Sequence, residues 1–86
     1  MTGKLDDEII GVFATFSQRD PSELSLDTEI RDVGIHSLEL TEIIMELEER
    51  YGIAIEIDTV DAWSSLVRIR DVVAAVDELL AAKTTA

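Results

Sequence analysis

The segment from Ser37 to Tyr51 constrains the fold more than any other part of the chain, because its apolar side chains recur at helical spacing. At about 3.6 residues per turn, one face collects Leu40, Ile43, Ile44, Leu47 and Tyr51. Gly52 follows directly and can adopt the left-handed backbone conformation that ends a helix. The pattern therefore predicts an α-helix over these residues, with one face buried in a core.

Another side of this predicted helix is acidic. A stripe of glutamates bordered by two apolar residues is formed by Glu39, Glu42, Glu46 and Glu49, with Leu38 and Met45 beside them. Glutamates spaced three and four residues apart repel one another, and Arg50 is the only base in the segment. A solvated helix face would account for the charge, but the repulsion favours a basic partner surface that offsets it.

Ser37 stands where this helix begins, at the positive end of the helix dipole. Most serines at such a position are caps, whose side chains accept a hydrogen bond from a free backbone N–H. The same end of a helix also favours an attached phosphate group. On position alone, the interpretation of Ser37 as a helix cap is favoured.

The remaining segments predict a small all-α bundle. Apolar spacing predicts a first helix over about Leu5–Ser17 and a last helix over about Arg68–Ala82. Residues 53–57 are interpreted as an extended segment, and residues 58–63 as a short helix. The expected architecture is therefore three longer helices and one short helix, with a long connection between the first two.

That long connection, from Asp20 to Ile35, has apolar residues spaced too irregularly for a helix. A connection of this length in a small domain is usually functional or packed by its own side chains. We expect it to be ordered, with Ile30 and Val33 against the core.

Charge and composition exclude several classes of function. The formal net charge of −12 would repel nucleic acid and anionic membrane surfaces, and no apolar run approaches the length of a membrane span. The absence of cysteine excludes disulfides and thiolate ligands, and with a single histidine we expect no metal site. We expect one domain over residues 1–86, with an ordered core over about 5–82, in a cytoplasmic monomer.

Several of these segments together resemble the acyl carrier protein family. The hallmark of that family is Asp-Ser-Leu at the start of the second helix, and this chain has His36-Ser37-Leu38 there. The pattern also matches before the serine, over Thr28–Gly34, and after it, over Leu47–Gly52. The likeness extends over nearly the whole chain in length, acidity and order of segments.

The resemblance implies that Ser37 carries 4′-phosphopantetheine, whose thiol holds an acyl group as a thioester. A phosphopantetheinyl transferase would load the serine, and acyl synthases, transferases or ligases of fatty acid, lipid or polyketide biosynthesis would act on the cargo. The chain itself would have no catalytic residue. The expected partner-binding residues, opposite basic docking surfaces, are Leu38, Glu39, Glu42, Met45, Glu46, Glu48 and Glu49.

The sequence also suggests where the cargo would lie, between the second helix and the segment that follows it. The candidate lining of this acyl pocket is Ile43, Leu47, Ile55, Ile57, Val60 and Trp63, which would serve equally well as ordinary core. Two other functions remain open at this point. The chain could carry aminoacyl or peptidyl groups, or it could be an acidic interaction module in which Ser37 stays unmodified.

Overall fold

The computed structural model of the chain describes residues 3–55 and 64–84. Within these ranges it has helices α1 (Lys4–Ser17), α2 (Ser37–Tyr51) and α3 (Ile69–Thr84), and 3-10 turns at Pro21–Glu23 and Ile30–Val33. The all-α prediction is confirmed, and α1 and α2 have the predicted bounds to within one residue. Helix α3 starts one residue later and ends two residues later than predicted. The predicted short helix over residues 58–63 lies outside the described residues.

The core lies where α1 packs against both α2 and α3. The largest fully buried side chains come from all three helices: Ile9, Phe13, Ile43, Leu47, Ile69, Val72 and Val76. Within each helix they are three or four residues apart, so that each helix buries one face. None of the helices in the described ranges is both long enough and apolar enough to cross a membrane.

The long connection between α1 and α2 is ordered, as predicted, because backbone hydrogen bonds hold it against the start of α3. The N–H groups of Ile30, Ile69 and Arg70 donate to the carbonyls of Val67, Thr28 and Leu26, at 2.9, 3.1 and 2.9 Å respectively. We call these two paired stretches, residues 26–30 and 67–70, the clasp. Ile30 is only 3% exposed, in agreement with its predicted core position, and Val33 packs against the core while partly exposed.

One backbone conformation and two side chains fix the corner at the end of α2. Gly52 has φ of 63°, the left-handed conformation expected of a helix stop. The ammonium group of Lys83, from the last turn of α3, donates to the carbonyl oxygens of Tyr51 and Gly52 at 3.3 and 3.1 Å. The Glu48 carboxylate accepts a hydrogen bond from the backbone N–H of Ile55 at 2.7 Å. The chain therefore leaves α2 along a defined path, and residues 53–55 belong to no helix or strand. The extended conformation expected for residues 53–57 stays a prediction.

Candidate functional site

Helix α2 begins with His36 as its N-cap, and Ser37 is the first helical residue. The His36 backbone is extended, with φ of −107° and ψ of −169°. Its N–H donates to the Glu39 side chain at 2.9 Å, which is one half of a capping box. The interpretation of Ser37 as the helix cap is therefore wrong, and the serine side chain is not needed to close the helix terminus.

The Ser37 hydroxyl is exposed and makes no hydrogen bond to any residue in the described ranges. Other serines are engaged locally: the hydroxyls of Ser17, Ser22 and Ser25 each contact a polar atom within their own turn, at 3.3, 2.8 and 3.4 Å. The backbone of Ser37 is held in the helix, since its carbonyl accepts from the Thr41 hydroxyl at 2.7 Å. Ser37 thus presents a free hydroxyl from a fixed backbone.

Beside Ser37 lies an open groove of about 550 Å³, which we call the serine groove. Its apolar lining is Ile30, Ile35, Leu40, Leu66 and Val67, and its polar lining is Arg31, His36, Ser37 and Ser64. Ile30, Ile35 and Leu40 are at most 5% exposed and form the floor, whereas Val67 is 45% exposed. The groove can receive a chain that starts at Ser37 and has both polar and apolar parts.

Sequence reasoning did not find this groove. Ile30 and Ile35 were recognisable as apolar residues near Ser37, and their spacing along the loop was the available signal. Leu66 and Val67 carried no such signal, because they reach the groove only through the clasp, about thirty residues further along the chain.

Electrostatically, the α2 side of Ser37 is negative. The backbone N–H of His36 donates to the Glu39 carboxylate, and this hydrogen bond holds the pKa of Glu39 below its ordinary value. Glu42, one turn further along the helix, is exposed. The Arg31 side chain, which lines the serine groove, is 79% exposed and contacts Glu29 at 3.7 Å. Charged groups of both signs therefore lie near the serine.

The exposed face of α2 alternates apolar and acidic side chains. Leu38 and Met45 are 68% and 58% exposed. Glu42 and Glu49 are also exposed, and the four positions are three or four residues apart along one face of the helix. We call these residues, Leu38, Glu42, Met45 and Glu49, the α2 row. Large exposed apolar side chains within a charged surface are typical of a binding face.

The other predicted partner-binding glutamates have contacts within the chain. Glu39 accepts from the His36 N–H, and Glu46 forms an ion pair with Arg50 at 3.1 Å. Glu48 is half-buried and accepts from the Ile55 N–H, so its carboxylate faces the chain rather than solvent. The partner-binding residues predicted from the sequence therefore include three glutamates that are not in the α2 row. Of these, Glu48 is better described as a residue that stabilises the fold.

The described members of the predicted acyl-pocket lining, Ile43, Leu47 and Ile55, all belong to the hydrophobic core cluster. Ile43 and Leu47 have no exposed surface and belong to the core. Ile55 lines a different open groove, of about 470 Å³, together with α3 residues that include Leu79. The positions predicted from the following segment, Ile57, Val60 and Trp63, lie outside the described residues. A cargo site between α2 and that segment stays a prediction.

Comparison with known proteins gives an independent line of evidence. The family model described as "Phosphopantetheine attachment site" matches residues 7–76, which include Ser37 and the serine groove. The chain is similar to a protein named Nodulation protein F from Rhizobium leguminosarum bv. viciae, 52% identical over 58 residues, covering 67% of this chain and 63% of that protein. It is also similar to Nodulation protein F from Rhizobium leguminosarum bv. trifolii, 39% identical over 89 residues, covering 94% of this chain and 97% of that protein.

Proposed function

This chain belongs to the family of phosphopantetheine attachment domains. On that premise we propose that the chain is an acyl carrier protein and that Ser37 carries its 4′-phosphopantetheine group, which we call the arm. Domains of this family hold 4′-phosphopantetheine covalently on a serine. The observation that carries the assignment is the exposed hydroxyl of Ser37, which bonds to none of the residues that the structure describes and lies on a fixed helix terminus beside an open groove. When attached, the arm supplies a thiol that holds the acyl group as a thioester.

The residues around Ser37 suit this use. The α2 terminus directs backbone N–H groups and the positive end of its dipole toward an anion on the serine. Because His36 caps the helix with its backbone and Glu39, modification of the serine hydroxyl does not remove a cap. The serine groove offers apolar surface to the arm immediately after its point of attachment.

Domains of this family generally contribute no catalysis, and we propose the same of this chain. His36 is exposed next to the serine, but adjacent side chains rarely have the geometry in which a histidine base activates a nucleophile. The chain supplies an attachment serine, a groove and a docking face. The chemistry on the cargo belongs to partner enzymes of fatty acid, lipid or polyketide biosynthesis.

The α2 row is the proposed docking face for those partners and for the phosphopantetheinyl transferase. Its exposed acids attract a basic surface, and its exposed leucine and methionine can bury apolar area once the partner has arrived. Both kinds of side chain lie on the helix that starts at Ser37, so a docked enzyme would be beside the arm.

The attachment site is tested by measuring intact mass after incubation with coenzyme A and a broad-specificity phosphopantetheinyl transferase. We expect the wild-type chain to gain one phosphopantetheine and Ser37→Ala to gain none, with helicity unchanged because Ser37 is not the cap. Ser64→Ala is the matched control, since Ser64 lines the same groove; it should load as the wild type does. Loading of Ser37→Ala would refute the assignment, and an unmodified wild-type chain would favour an interaction module.

A further inference from the structure

A small open cleft lies between α1 and α2, to one side of the α2 row. We call it the interhelix cleft; it measures about 180 Å³ and is lined by Val12, Thr15, Phe16, Glu46 and Arg50. We propose that the face on which the phosphopantetheinyl transferase docks extends from the α2 row onto α1, and that this cleft receives one apolar side chain of the enzyme. This inference rests on the proposed function, because it requires that the transferase bind α2.

An enzyme that acts on Ser37 must cover more than one row of side chains. A stable interface buries about 800 Å² on each partner, which corresponds to a patch about 30 Å across, whereas a helix with its side chains is about 10–12 Å wide. Glu46 follows Ser37 by nine residues on α2, a rise of roughly 14 Å along the helix axis. A patch that includes Ser37 and the α2 row therefore extends beyond α2, and the interhelix cleft lies within its reach.

The α1 side of the cleft is largely apolar. Val12 is 5% exposed, and Phe16 packs against the core while partly exposed. Thr15 is exposed, but its hydroxyl donates to the Gly11 carbonyl at 3.0 Å, so a partner that covers it leaves no hydroxyl without a hydrogen bond. An apolar cavity of about 150 Å³ can bind benzene. The interhelix cleft therefore has room for one apolar side chain.

The α2 side of the cleft offers a carboxylate to the partner. Glu46 pairs with Arg50 at 3.1 Å, and both side chains are 42% exposed. An ion pair this exposed contributes little to stability, so a base of the partner can replace Arg50 at Glu46 at small cost to the fold. Glu42 and Glu49 of the α2 row are four and three residues from Glu46, so the cleft adjoins that row.

The charges around the cleft favour a basic partner. On the exposed side of α2 they are three acids and one base: Glu42, Glu46, Glu49 and Arg50. Along the chain, the charged residues nearest to the α1 lining are Glu8 and Arg19, one acid and one base, and Glu8 accepts a hydrogen bond from the Tyr51 hydroxyl. The balance is negative. An enzyme surface with basic groups around one apolar side chain therefore fits both the cleft and its rim.

The first test maps the contact by saturation transfer from the unlabelled broad-specificity transferase to the isotope-labelled apo chain, without coenzyme A so that no loading occurs. We expect the amide signals of Thr15 and Phe16 to lose intensity together with those of Leu38 and Met45. The amide signal of Ala74, at an exposed position of α3, is the internal control and should keep its intensity. Full intensity at Thr15 and Phe16, beside losses at Leu38 and Met45, would overturn the proposal.

A matched pair of variants tests whether the cleft contributes to binding. Thr15→Lys and Ala74→Lys each add one positive charge at an exposed helical position, but only Thr15→Lys places a long side chain at the cleft. Thr15→Lys should speed dissociation of the transferase about tenfold at every salt concentration. Ala74→Lys should leave the dissociation rate unchanged, and circular dichroism checks that both variants are folded. Equal dissociation rates for the two variants would overturn the proposal.

Failure of the proposed function gives a different result. A wild-type chain that coenzyme A and the transferase leave unmodified, as measured by intact mass, refutes the proposed function and this inference with it. Normal loading of the wild type, combined with a wild-type dissociation rate for Thr15→Lys, refutes this inference alone.

Discussion

At the scale of single residues, helical spacing predicts which side of an element a residue occupies, but not its polar partners. Tyr51 was assigned to the core face of α2 and is partly buried against the core, as predicted. Its hydroxyl donates to the Glu8 carboxylate at 2.7 Å, a partner 43 residues away. Glu48 was assigned to the docking face, yet its carboxylate binds the Ile55 N–H. Such contacts depend on tertiary structure, about which local spacing carries no information.

The Tyr51 contact has a measurable consequence at high pH. Burial, and then the hydrogen bond to Glu8, raise the pKa of Tyr51 from 10.0 to about 12. As pH rises, the unfolded chain therefore loses its phenolic proton before the folded chain does. The stability that this group contributes is complete below pH 10 and is lost between pH 10 and about 12.

Because Tyr51 is the only tyrosine, phenolate absorbance reports its titration directly. We expect the folded protein to titrate well above pH 10, and Glu8→Gln to lower the midpoint by removing the negative charge beside the hydroxyl. Asp7→Asn is the matched control and should leave the midpoint unchanged, because Asp7 is exposed on the same helix. Circular dichroism at each pH confirms that the chain is folded. A midpoint near 10 in the folded wild type would contradict the expected shift.

At the scale of elements, the two ends of α2 differ in how well the sequence predicts the residue that ends the helix. Its C-terminal end was predicted because Gly52 readily adopts a positive φ, and the structure confirms that conformation. At its N-terminal end, the capping residue is His36 and not Ser37, for which helical position alone favoured a cap. Serine is the more usual cap, whereas here the extended backbone of His36 is closed by the Glu39 side chain. The element was predictable from periodicity, but the capping residue was not.

Two glycines on these helices should respond oppositely to replacement by alanine. Gly52 has φ of 63°, and an added Cβ would lie 2.8 Å from the movable Lys83 ammonium group. Gly52→Ala should therefore lower the free energy of unfolding by about 1–2 kcal/mol, mainly through the left-handed backbone. Gly11 lies inside α1, where no neighbouring atom lies within 4 Å of an added Cβ. Gly11→Ala should raise the free energy of unfolding by about 1 kcal/mol.

Urea unfolding of both variants, each compared with the wild type, measures these changes. The pair is its own control, because both substitutions add the same methyl group and differ in backbone conformation. A neutral Gly52→Ala would mean that α2 does not end in the left-handed conformation. A destabilising Gly11→Ala would mean that the surface at that point of α1 is more crowded than the structure indicates.

At the scale of the whole molecule, the serine groove is a product of the clasp. The order of segments predicted an all-α bundle and a packed long connection, because each helix has its own periodicity. The pairing of residues 26–30 with 67–70 joins stretches about forty residues apart, through backbone atoms whose partners no side-chain pattern specifies. The motif therefore indicates which serine we propose as the attachment point, whereas the groove beside it could not be predicted.

Charge is distributed unevenly over the same surface, and this bears on how partners approach. The chain carries a net charge of −12, and along its α2 row the acids Glu42 and Glu49 alternate with the exposed Leu38 and Met45. The acids create a field that acts at a distance and speeds encounter with a basic surface. The apolar side chains act only on contact. The two kinds of residue should therefore affect different steps of binding.

Association and dissociation rates of the apo chain with a broad-specificity phosphopantetheinyl transferase, measured across ionic strength, separate these steps. Glu42→Lys should slow association several-fold at low salt, and the effect should diminish as salt screens the charges. Leu38→Ala and Met45→Ala should instead speed dissociation about tenfold at every salt concentration, since each loses roughly 1.4 kcal/mol of buried contact. All three side chains are exposed, so the fold should be retained.

Asp77→Lys, at an exposed position of α3, reverses the same charge outside the α2 row and controls for a general effect of net charge. It should slow association much less than Glu42→Lys does, because a charge steers a partner most strongly when it lies within a screening length of the docking site. Equal slowing by both variants would mean that only net charge matters. Wild-type association rates for Glu42→Lys at low salt would mean that the acids of α2 form a solvated helix face, and the docking face would then have to lie elsewhere around Ser37.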